Sequence, residues 1–481
     1  MKVNIGTRAI SMSRLAQICG GMLCCIGGES DRDVQFESIC TDSRESAEGA
    51  LFIALGGERV DGHDYIGAAL SAGGGCVLCE RIPEQISDRR CAAVIVEDSI
   101  KAVGELAKAY DRSINHKKIA VTGSVGKTTT KEFIAAVMAE KFRVHKTEGN
   151  YNSNIGLPLS ILSMRDDTEV SVLEMGMSDL GEIDYLSRLA EPDVAVVTNI
   201  GSSHIGHLGS RENICRAKLE IVNGLKRGGV LVVNGDEPLL ENYTKDGIRV
   251  LRVALKNENA EYRAENVRIC GGTTVFDIVT TVATIKDVVI PVLGEHNVMA
   301  ALFAFAVGQN YGLEAGDIAR GLSSFKPVGM RQNIYNIGEI KVIEDCYNAS
   351  PESMKAAFAV ESSLARESGA RMVALLGDMY ELGEESGRLH EQVGSDYASA
   401  GGELLFTFGE SAEGIATGAI LHGILPENVY RNPDIKNPAL SGEMLLHSLR
   451  SGDVLLVKAS RGAAAERVIE YLKANEDRIV K

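Results

Sequence analysis

One stretch of the chain, Lys117 to Phe133 (KKIAVTGSVGKTTTKEF), combines residue types that bind phosphate. An apolar strand pattern precedes a glycine-bearing turn, and a helical pattern with Phe133 on its apolar face follows. Glycines let backbone N–H groups approach phosphate oxygens, a lysine reaches the β- and γ-phosphates, and a threonine hydroxyl binds Mg²⁺. Val121 replaces the first glycine of the usual pattern, so we expect a compact loop. The predicted triphosphate-binding residues are Gly123, Ser124, Val125, Gly126, Lys127, Thr128 and Thr129.

A carboxylate suited to holding Mg²⁺ follows in the next strand pattern. Glu174 ends the strand VSVLE, where P-loop enzymes place an acid that binds the metal directly or through water. His204 lies in a loop rich in glycine and serine, and spacing alone favours a packed loop imidazole there. Lys218 lies in a helical pattern and reads as an exposed helical lysine. From the residues themselves, Glu174 is therefore the favoured metal ligand.

The bulk composition narrows the class of protein. A chain of 481 residues is too long to fold around a single hydrophobic core, and its length predicts roughly three domains. The net charge of −16 disfavours a nucleic-acid partner. The longest apolar run, Met299 to Val307, is too short to span a membrane, and the N-terminus has no signal-peptide pattern. The ten cysteines are scattered as in a reduced compartment, and the lone pair Cys76 and Cys79 is expected to be structural. We expect a cytoplasmic protein without membrane insertion.

The elements that must position the phosphate site are parallel βαβ units. Strand and helical patterns alternate over residues 101–325, and the alternation returns over 326–481. The β-branched, alternating residues 262–293 predict an antiparallel flap. Short strand patterns fill residues 1–100. The predicted fold class is α/β with three domains: a small N-terminal α/β domain, a central P-loop ATPase domain with a parallel sheet, and a C-terminal Rossmann-like domain.

Polar residues follow the predicted strands of both later blocks. Because ligands of open parallel sheets bind beyond the carboxyl ends of the strands, each block should carry a polar rim. Two rims that face each other would enclose a cleft between domains. In the third block the rim residues are Asp345, Tyr347, Asn348, Gly377, Asp378, Lys458, Ser460 and Arg461.

Several classes of phosphoryl enzyme share such a loop. A signalling GTPase would carry Asn-Lys-x-Asp, which this sequence lacks. We find no sign of the oligomeric or membrane machinery of a motor or transporter. A small-molecule kinase remains open, because its phosphate site looks the same. The third block favours a ligase, since two substrates that must be joined need a second platform beside the nucleotide.

The chain resembles the Mur ligases of bacterial cell-wall synthesis along essentially its whole length. GDMYELG together with VKASRG favours the members that add a dipeptide over their siblings, and folylpolyglutamate synthetase shares only the central ATPase. The motifs that carry the resemblance are TDSR, LFIALGGERVDGHDY, TGSVGKTTTKE, TEGNYNSNIGLPLS, LEMGM, TNIGSSHIGHLGS, AKLEI, GEHNVMAAL, EDCYNASPESMKAA, LLGDMYELGEES and VKASRG.

The resemblance implies an ATP-dependent amide ligase that adds D-alanyl-D-alanine to UDP-N-acetylmuramoyl-tripeptide through an acyl phosphate, for peptidoglycan synthesis. It implies a first domain for the uridine nucleotide, a central ATPase and a third domain for the dipeptide. It also implies two Mg²⁺ ions, a CO₂-derived carbamate on Lys218 and a monomer. The alternatives are a sibling ligase that adds a single amino acid, a folylpolyglutamate-synthetase-like ligase and a nucleotide-gated binding protein.

The resemblance also assigns site residues by motif. Lys127, His204 and Lys218 are the implied catalytic residues, and Thr128, Glu174, His204 and the Lys218 carbamate the implied metal ligands. Asn297, Arg331 and Asp345 match nucleotide-contacting positions. Two departures are Ala300, where the pattern HNxxN has its second asparagine, and Ala459, where KGSR has glycine. The implied substrate-binding residues are Thr41, Asp42, Ser43, Arg44, Asn150, Asn152, Asn154, Tyr347, Asn348, Ser460 and Arg461.

Overall fold

The computed structural model describes residues 1–6, 8–26, 34–57, 60–83 and 90–479. The protein is α/β throughout, as the sequence predicts. In the ranges described, no helix is long and apolar enough to cross a membrane.

The N-terminal part is built on a mixed sheet. Its elements are β1 Lys2–Asn4, β2 Ile10–Ser11, α1 Met12–Cys19, β3 Met22–Ile26, β4 Gln35–Phe36, β5 Ser38–Cys40, β6 Ala50–Ile53, α2 Ile66–Ser71, β7 Cys76–Cys79, β8 Cys91–Ile95 and α3 Ser99–Asp111. The strand order is β1-β5-β6-β7-β8-β3, with β5 to β8 parallel and both outer strands antiparallel. β2 and β4 form a separate antiparallel pair. Cys76 and Cys79 are buried on β7, in agreement with the structural role expected of them.

The central part carries the predicted parallel sheet. Its elements are β9 Lys117–Thr122, α4 Lys127–Ala139, β10 Val144–Lys146, α5 Gly156–Leu162, β11 Val170–Glu174, α6 Glu182–Ala190, β12 Val194–Val197, α7 Ile205–Leu208, α8 Arg211–Leu219, β13 Val230–Asn234, β14 Arg249–Ala254, β15 Tyr262–Cys270, β16 Thr273–Thr280, β17 Thr284–Ile290, α9 Glu295–Asn310 and α10 Ala315–Ser323. The order is β10-β11-β9-β12-β13-β14-β15-β16-β17. β15, β16 and β17 pair antiparallel, which confirms the predicted flap.

The C-terminal part repeats the parallel arrangement. Its elements are β18 Asn333–Ile337, β19 Ile340–Asp345, α11 Pro351–Ser368, β20 Met372–Gly377, α12 Ser386–Ser399, β21 Leu404–Phe408, α13 Glu413–Leu421, β22 Val429–Asn432, α14 Pro438–Ser448, β23 Val454–Lys458 and α15 Glu466–Ala474. The order is β18-β19-β23-β20-β21-β22, with only β18 antiparallel in the described sheet.

Burial explains why the central strands consist of apolar, β-branched residues. The strands β9, β11 and β12 are buried on both faces, as parallel strands covered by helices are. Their alternate side chains enter two cores, one with α4 and α9 and one that continues into the N-terminal part. Polar loops follow the carboxyl ends of these strands and of β19, β20 and β23.

Candidate active site

The phosphate-binding loop joins β9 to α4 in a conformation that needs glycine. Gly126 has φ of 80°, and α4 starts directly after it. A Cβ on Gly123, whose φ is 150°, would lie 1.8 Å from Thr198 Oγ1, so no other residue fits. The neighbouring strand end fixes the loop further: Asn199 Oδ1 accepts from the N–H of Val125 at 2.9 Å. The loop is therefore held in shape by the protein itself.

Lys127 begins the helix and folds back over this loop. Its Nζ donates to the carbonyls of Gly123 at 2.8 Å and Ser124 at 3.2 Å. Burial lowers the pKa of Lys127, Glu174 and Glu381 act to raise that pKa, and Arg331 acts to lower it. Charges from both the central and the C-terminal rim therefore act on the predicted phosphate-binding lysine.

Glu174 ends β11 beside the loop, where the sequence placed it. Its carboxylate is 2% exposed; Oε2 accepts from Thr128 Oγ1 at 2.9 Å and Oε1 from Asn152 Nδ2 at 2.8 Å. A carboxylate and a hydroxyl are the oxygen donors that Mg²⁺ prefers, usually in combination with substrate phosphates. In the described ranges no group of three or more His, Cys, Asp or Glu side chains assembles to hold a metal. The donor set fits Mg²⁺ shared with a nucleotide.

Lys131, one helical turn after Lys127, is a site residue that sequence reasoning missed. It is 1% exposed, and its Nζ donates to the carbonyl of Thr147 at 2.5 Å and lies 3.1 Å from Glu132 Oε1. The same Nζ is 3.9 Å from Glu174 Oε2, while Thr147 Oγ1 accepts from the N–H of Glu174 at 3.0 Å. The sequence signal that could have identified Lys131 is its position on the buried side of α4, next to the P-loop.

Lys218 is buried, which corrects the interpretation of an exposed helical lysine. It lies on α8 and is 2% exposed. Burial, and then the charge of Lys127, lower its pKa well below the ordinary value. Ile214 and Ala217 of the same helix lie in the core that α8 shares with the central sheet. Both effects on the pKa favour the neutral amine, which is the form of lysine that reacts with CO₂.

His204 faces the C-terminal part. Its backbone has φ of 65°, and Nδ1 lies 2.6 Å from Glu381 Oε2. Its imidazole therefore contacts the C-terminal part and is not simply packed within its own loop. It joins the two rims.

The C-terminal rim brings its predicted polar residues together. Lys458 Nζ donates to Asp345 Oδ2 at 2.6 Å and to the carbonyl of Asn348 at 3.0 Å. The guanidinium of Arg331 lies over the Tyr347 ring, 4.0 Å from its centroid. Such a stacked cation presents its remaining N–H groups in a fixed plane.

Asn297 lies on α9 at the same cleft. It is 3% exposed, and its Nδ2 donates to the carbonyl of Leu293 and to Gln332 Oε1, each at 2.7 Å. His296 Nε2 lies 3.1 Å from the same Gln332 oxygen. Asn297 therefore ties α9 to the start of the C-terminal part. Ala300, which stands where the family pattern HNxxN has its second asparagine, is buried in α9 and is not part of this bond.

Ser460 and Arg461 have local partners. Ser460 Oγ accepts from the N–H of Tyr380 at 3.1 Å, and Arg461 Nη1 donates to Glu466 Oε1 at 2.5 Å. Ala459 fits because its neighbour across the sheet is Gly377, where an added Cβ would lie 2.6 Å from that of Ala459. The substitution of glycine by alanine in this motif is thus accommodated.

The motif Thr41 to Arg44 forms a capped turn at the surface of the N-terminal part. Asp42 accepts from the backbone N–H of Arg44 at 3.0 Å and from its Nη2 at 2.6 Å. Hydrogen bonds from Arg44 hold the pKa of Asp42 well below its usual range. Thr41 is held through its N–H, which donates to the carbonyl of Met1 at 2.9 Å. The structure makes Ser43 the first residue of the turn.

The three predicted asparagines occupy different environments. Asn152 binds Glu174, a role the sequence did not indicate, and its N–H donates to the Asn150 carbonyl at 2.7 Å. Asn150 is exposed. Asn154 Oδ1 is buried and has no hydrogen-bond partner in the part of the chain that the structure covers. A buried unpartnered acceptor next to the site is available to a ligand.

Contacts between the central and C-terminal parts were also missed. Glu352, in the first turn of α11, accepts from the N–H of Ser202 at 2.8 Å and from its Oγ at 3.2 Å. Gly206 donates to the carbonyl of Glu381 at 3.3 Å and packs directly on Gly383. No local pattern marks such pairs, because their members are far apart in sequence.

These features define a nucleotide-dependent enzyme with a P-loop ATPase core and a second α/β platform across a cleft. Three Mur ligase family models match the chain: the "Mur ligase family, catalytic domain" over residues 35–121, the "Mur ligase middle domain" over 121–308, and the "Mur ligase, glutamate ligase domain" over 330–461. The chain belongs to the Mur ligase family.

The chain is also similar to individual ligases of known activity and to solved ligase structures. The UDP-N-acetylmuramoyl-tripeptide–D-alanyl-D-alanine ligase of Bacillus subtilis is 42% identical over 90% of this chain and 92% of its own length. MurF from Acinetobacter baumannii superposes with a TM-score of 0.85 at 28% identity, covering 97% of this chain and 99% of that one. MurF from Thermotoga maritima in complex with ADP gives 0.79 at 30% identity, over 92% and 98%.

Proposed function

We propose that the protein is an ATP-dependent ligase that joins D-alanyl-D-alanine to UDP-N-acetylmuramoyl-tripeptide and thereby completes a peptidoglycan precursor. The observation that carries this is the P-loop beside the Thr128–Glu174 pair on the central rim, with His204 in contact with Glu381 of the C-terminal part across the cleft. The 42% identity with the Bacillus subtilis ligase supports the choice of substrates. As part of the same proposal, the enzyme acts as a monomer in the cytoplasm, where ATP is available.

The first half of the reaction transfers the γ-phosphoryl group to the terminal carboxylate of the tripeptide. Lys127 and the N–H groups of the loop bind the β- and γ-phosphates, and Arg331 approaches from the opposite rim. A carboxylate and a triphosphate repel each other, so concentrated positive charge is what this step needs. The products are an acyl phosphate and ADP.

Thr128 and Glu174 would hold Mg²⁺, and His204 and a carbamate on Lys218 a second ion. When bound, these ions would offset the charge of the phosphates. Lys218 fits carbamylation because it is buried and burial lowers its pKa, which favours the neutral amine; carbamylation converts that amine into an oxygen donor. Carbon-13 NMR with labelled bicarbonate should show a carbamate signal that Lys218→Ala removes.

The second half joins the amine of the dipeptide to the activated carbonyl. The acyl phosphate hydrolyses readily, so water must be excluded while the amine arrives. We assign this to closure of the C-terminal domain, residues 326–481, over residues 1–100 and 101–325. Asn297, Asp345, Tyr347, Asn348, Ser460 and Arg461 would line the nucleotide and dipeptide side, and Thr41 to Arg44 the uridine side. Asn150, Asn152 and Asn154 would border the acceptor carboxylate.

The test is to incubate the enzyme with ATP and UDP-N-acetylmuramoyl-tripeptide, and to add either D-alanyl-D-alanine or single amino acids. We expect ADP release and a product one dipeptide heavier by mass spectrometry only with the dipeptide. Incorporation of a single amino acid would assign a sibling activity, and a stable phosphorylated product would assign a kinase.

A further inference from the structure

The carboxylates that the C-terminal part brings to the cleft differ in their partners. Asp345 is neutralised by Lys458 Nζ at 2.6 Å, and Glu352 accepts from Ser202. Asp378 is 7% exposed and accepts from the N–H of Ala412 at 2.8 Å. Glu381 differs from these three because its side chain is half exposed, and its carboxylate contacts the imidazole of His204 across the cleft.

The backbone of Glu381 is held in place at some cost. Its φ of 66° is left-handed, a strained conformation for a residue other than glycine, and such strain concentrates at functional sites. Its carbonyl accepts from the N–H of Gly206 at 3.3 Å, so the residue is fixed against the central rim.

One oxygen of this carboxylate is available. Oε2 lies 2.6 Å from His204 Nδ1, while no hydrogen bond to Oε1 is found within the described ranges. The negative charge of Glu381 acts to raise the pKa of Lys127, the lysine assigned to the phosphates. A negative group there repels ATP and the acceptor carboxylate alike. Its position is suited instead to a cation.

The reaction has one cationic substrate, because the amine of the dipeptide arrives as an ammonium at neutral pH. We propose that Glu381 Oε1 accepts a hydrogen bond from this ammonium and positions its nitrogen at the activated carbonyl. The inference rests on the proposed ligase function and names the residue that receives the amine. One proton first passes from the ammonium to water, which frees the nitrogen lone pair; the C–N bond then forms and the C–O bond to phosphate breaks. Of the two protons lost by nitrogen, one leaves with the phosphate and one passes to water.

Glu381→Gln keeps the size of the side chain and removes its charge. Charge-assisted hydrogen bonds contribute more than neutral ones, so we expect the KM for D-alanyl-D-alanine to rise roughly 10–100-fold, with the KM values for ATP and the UDP-tripeptide unchanged. Glu381→Asp should recover part of the loss. Glu384→Gln, an exposed acid in the same loop, is the matched control and should behave as the unmodified enzyme.

Hydroxylamine separates this inference from the function on which it rests. It is largely uncharged at neutral pH and should capture the acyl phosphate without needing a carboxylate. We expect Glu381→Gln to form the hydroxamate from UDP-tripeptide and ATP at the normal rate. Equal loss of hydroxamate and amide formation, or an unchanged KM for the dipeptide, would overturn the assignment of Glu381. Absence of hydroxamate with the unmodified enzyme would instead overturn the acyl phosphate.

Discussion

The two boundaries inside this molecule are built differently. Between the N-terminal and central parts, one apolar core is continuous, and it includes Met12 and Leu51 from one side and Leu157 and Leu173 from the other. Tyr110, on the connecting helix α3, donates to the carbonyl of Met164 at 2.6 Å within that core. These two parts therefore form one rigid platform.

The boundary with the C-terminal part is mostly polar. Ser202 with Glu352, His204 with Glu381, and Gly206 with Gly383 make its contacts. The main apolar contributions from the central part to the neighbouring core are Leu293 and Ile205. A hydrogen bond contributes only about 0.5–1.5 kcal/mol net, so this boundary can open without exposing a large apolar core. The comparison predicts a platform that binds ATP and a third domain that closes to permit catalysis.

Removing the phosphate lysine on the platform should have the largest effect. Lys127→Ala deletes a charge aimed at the transferred group, and we expect kcat to fall about 10³-fold or more. Because the platform does not depend on that lysine for its core, binding of the UDP-tripeptide by calorimetry should persist. Lys141→Ala, an exposed lysine on the same segment, is the control. If Lys127→Ala retained its turnover, the P-loop lysine would have no role in the chemical step.

A second platform variant tests the support of Glu174. Lys131→Met leaves the Thr147 carbonyl without its donor, so Glu174 loses part of its positioning. We expect roughly a 10–100-fold loss of kcat and a higher Mg²⁺ concentration at half-maximal rate, as for other residues that orient metal ligands. Lys146→Met is matched, since Lys146 contacts Glu132, whereas in the described part of the chain the lysine within 4 Å of Glu174 is Lys131. An unchanged Mg²⁺ requirement in Lys131→Met would show that Lys131 contributes only to packing and does not position Glu174.

At the polar boundary, Gly206→Ala should hinder closure. The added Cβ would lie 2.7 Å from the backbone N of Gly383, so the two domains must separate. We expect about a 10-fold lower kcat, as misplacement of reacting groups costs rate. Small-angle scattering with nucleotide bound should give a larger radius of gyration. Gly387→Ala, where nothing lies within 4 Å, is the control. Normal kcat and compaction in Gly206→Ala would show that this contact is dispensable.

The smallest effect concerns the separate core of the third domain. Glu361 on α11 is fully buried, and burial raises its pKa well above the ordinary value. An acid with a raised folded-state pKa stabilises most below its unfolded pKa, about 4.3, and loses that contribution as pH rises towards the folded value. Calorimetry should show the transition of the third domain falling in temperature above pH 5. Glu361→Gln should flatten this dependence and Glu367→Gln should not; equal slopes in both would contradict it.

The sequence allowed the platform to be predicted more fully than the boundary. The P-loop and Glu174 follow from strand ends and local spacing, which single-chain patterns record directly. Asn152, Lys131 and Glu381 could not be found in this way, because their roles depend on contacts made only after distant segments pack together. Lys218 shows the same limit: helical periodicity did not reveal that its polar side chain points inward. The resemblance to the family, rather than the pattern, indicated its place in the site.

The most direct test of acyl activation follows an oxygen atom. The terminal carboxylate of the UDP-tripeptide is labelled with oxygen-18, and the enzyme is run with ATP and D-alanyl-D-alanine. Acyl-phosphate formation predicts that one labelled oxygen per amide formed appears in inorganic phosphate, measured by mass spectrometry. Label in AMP, or phosphate free of label while the amide accumulates, would contradict the mechanism.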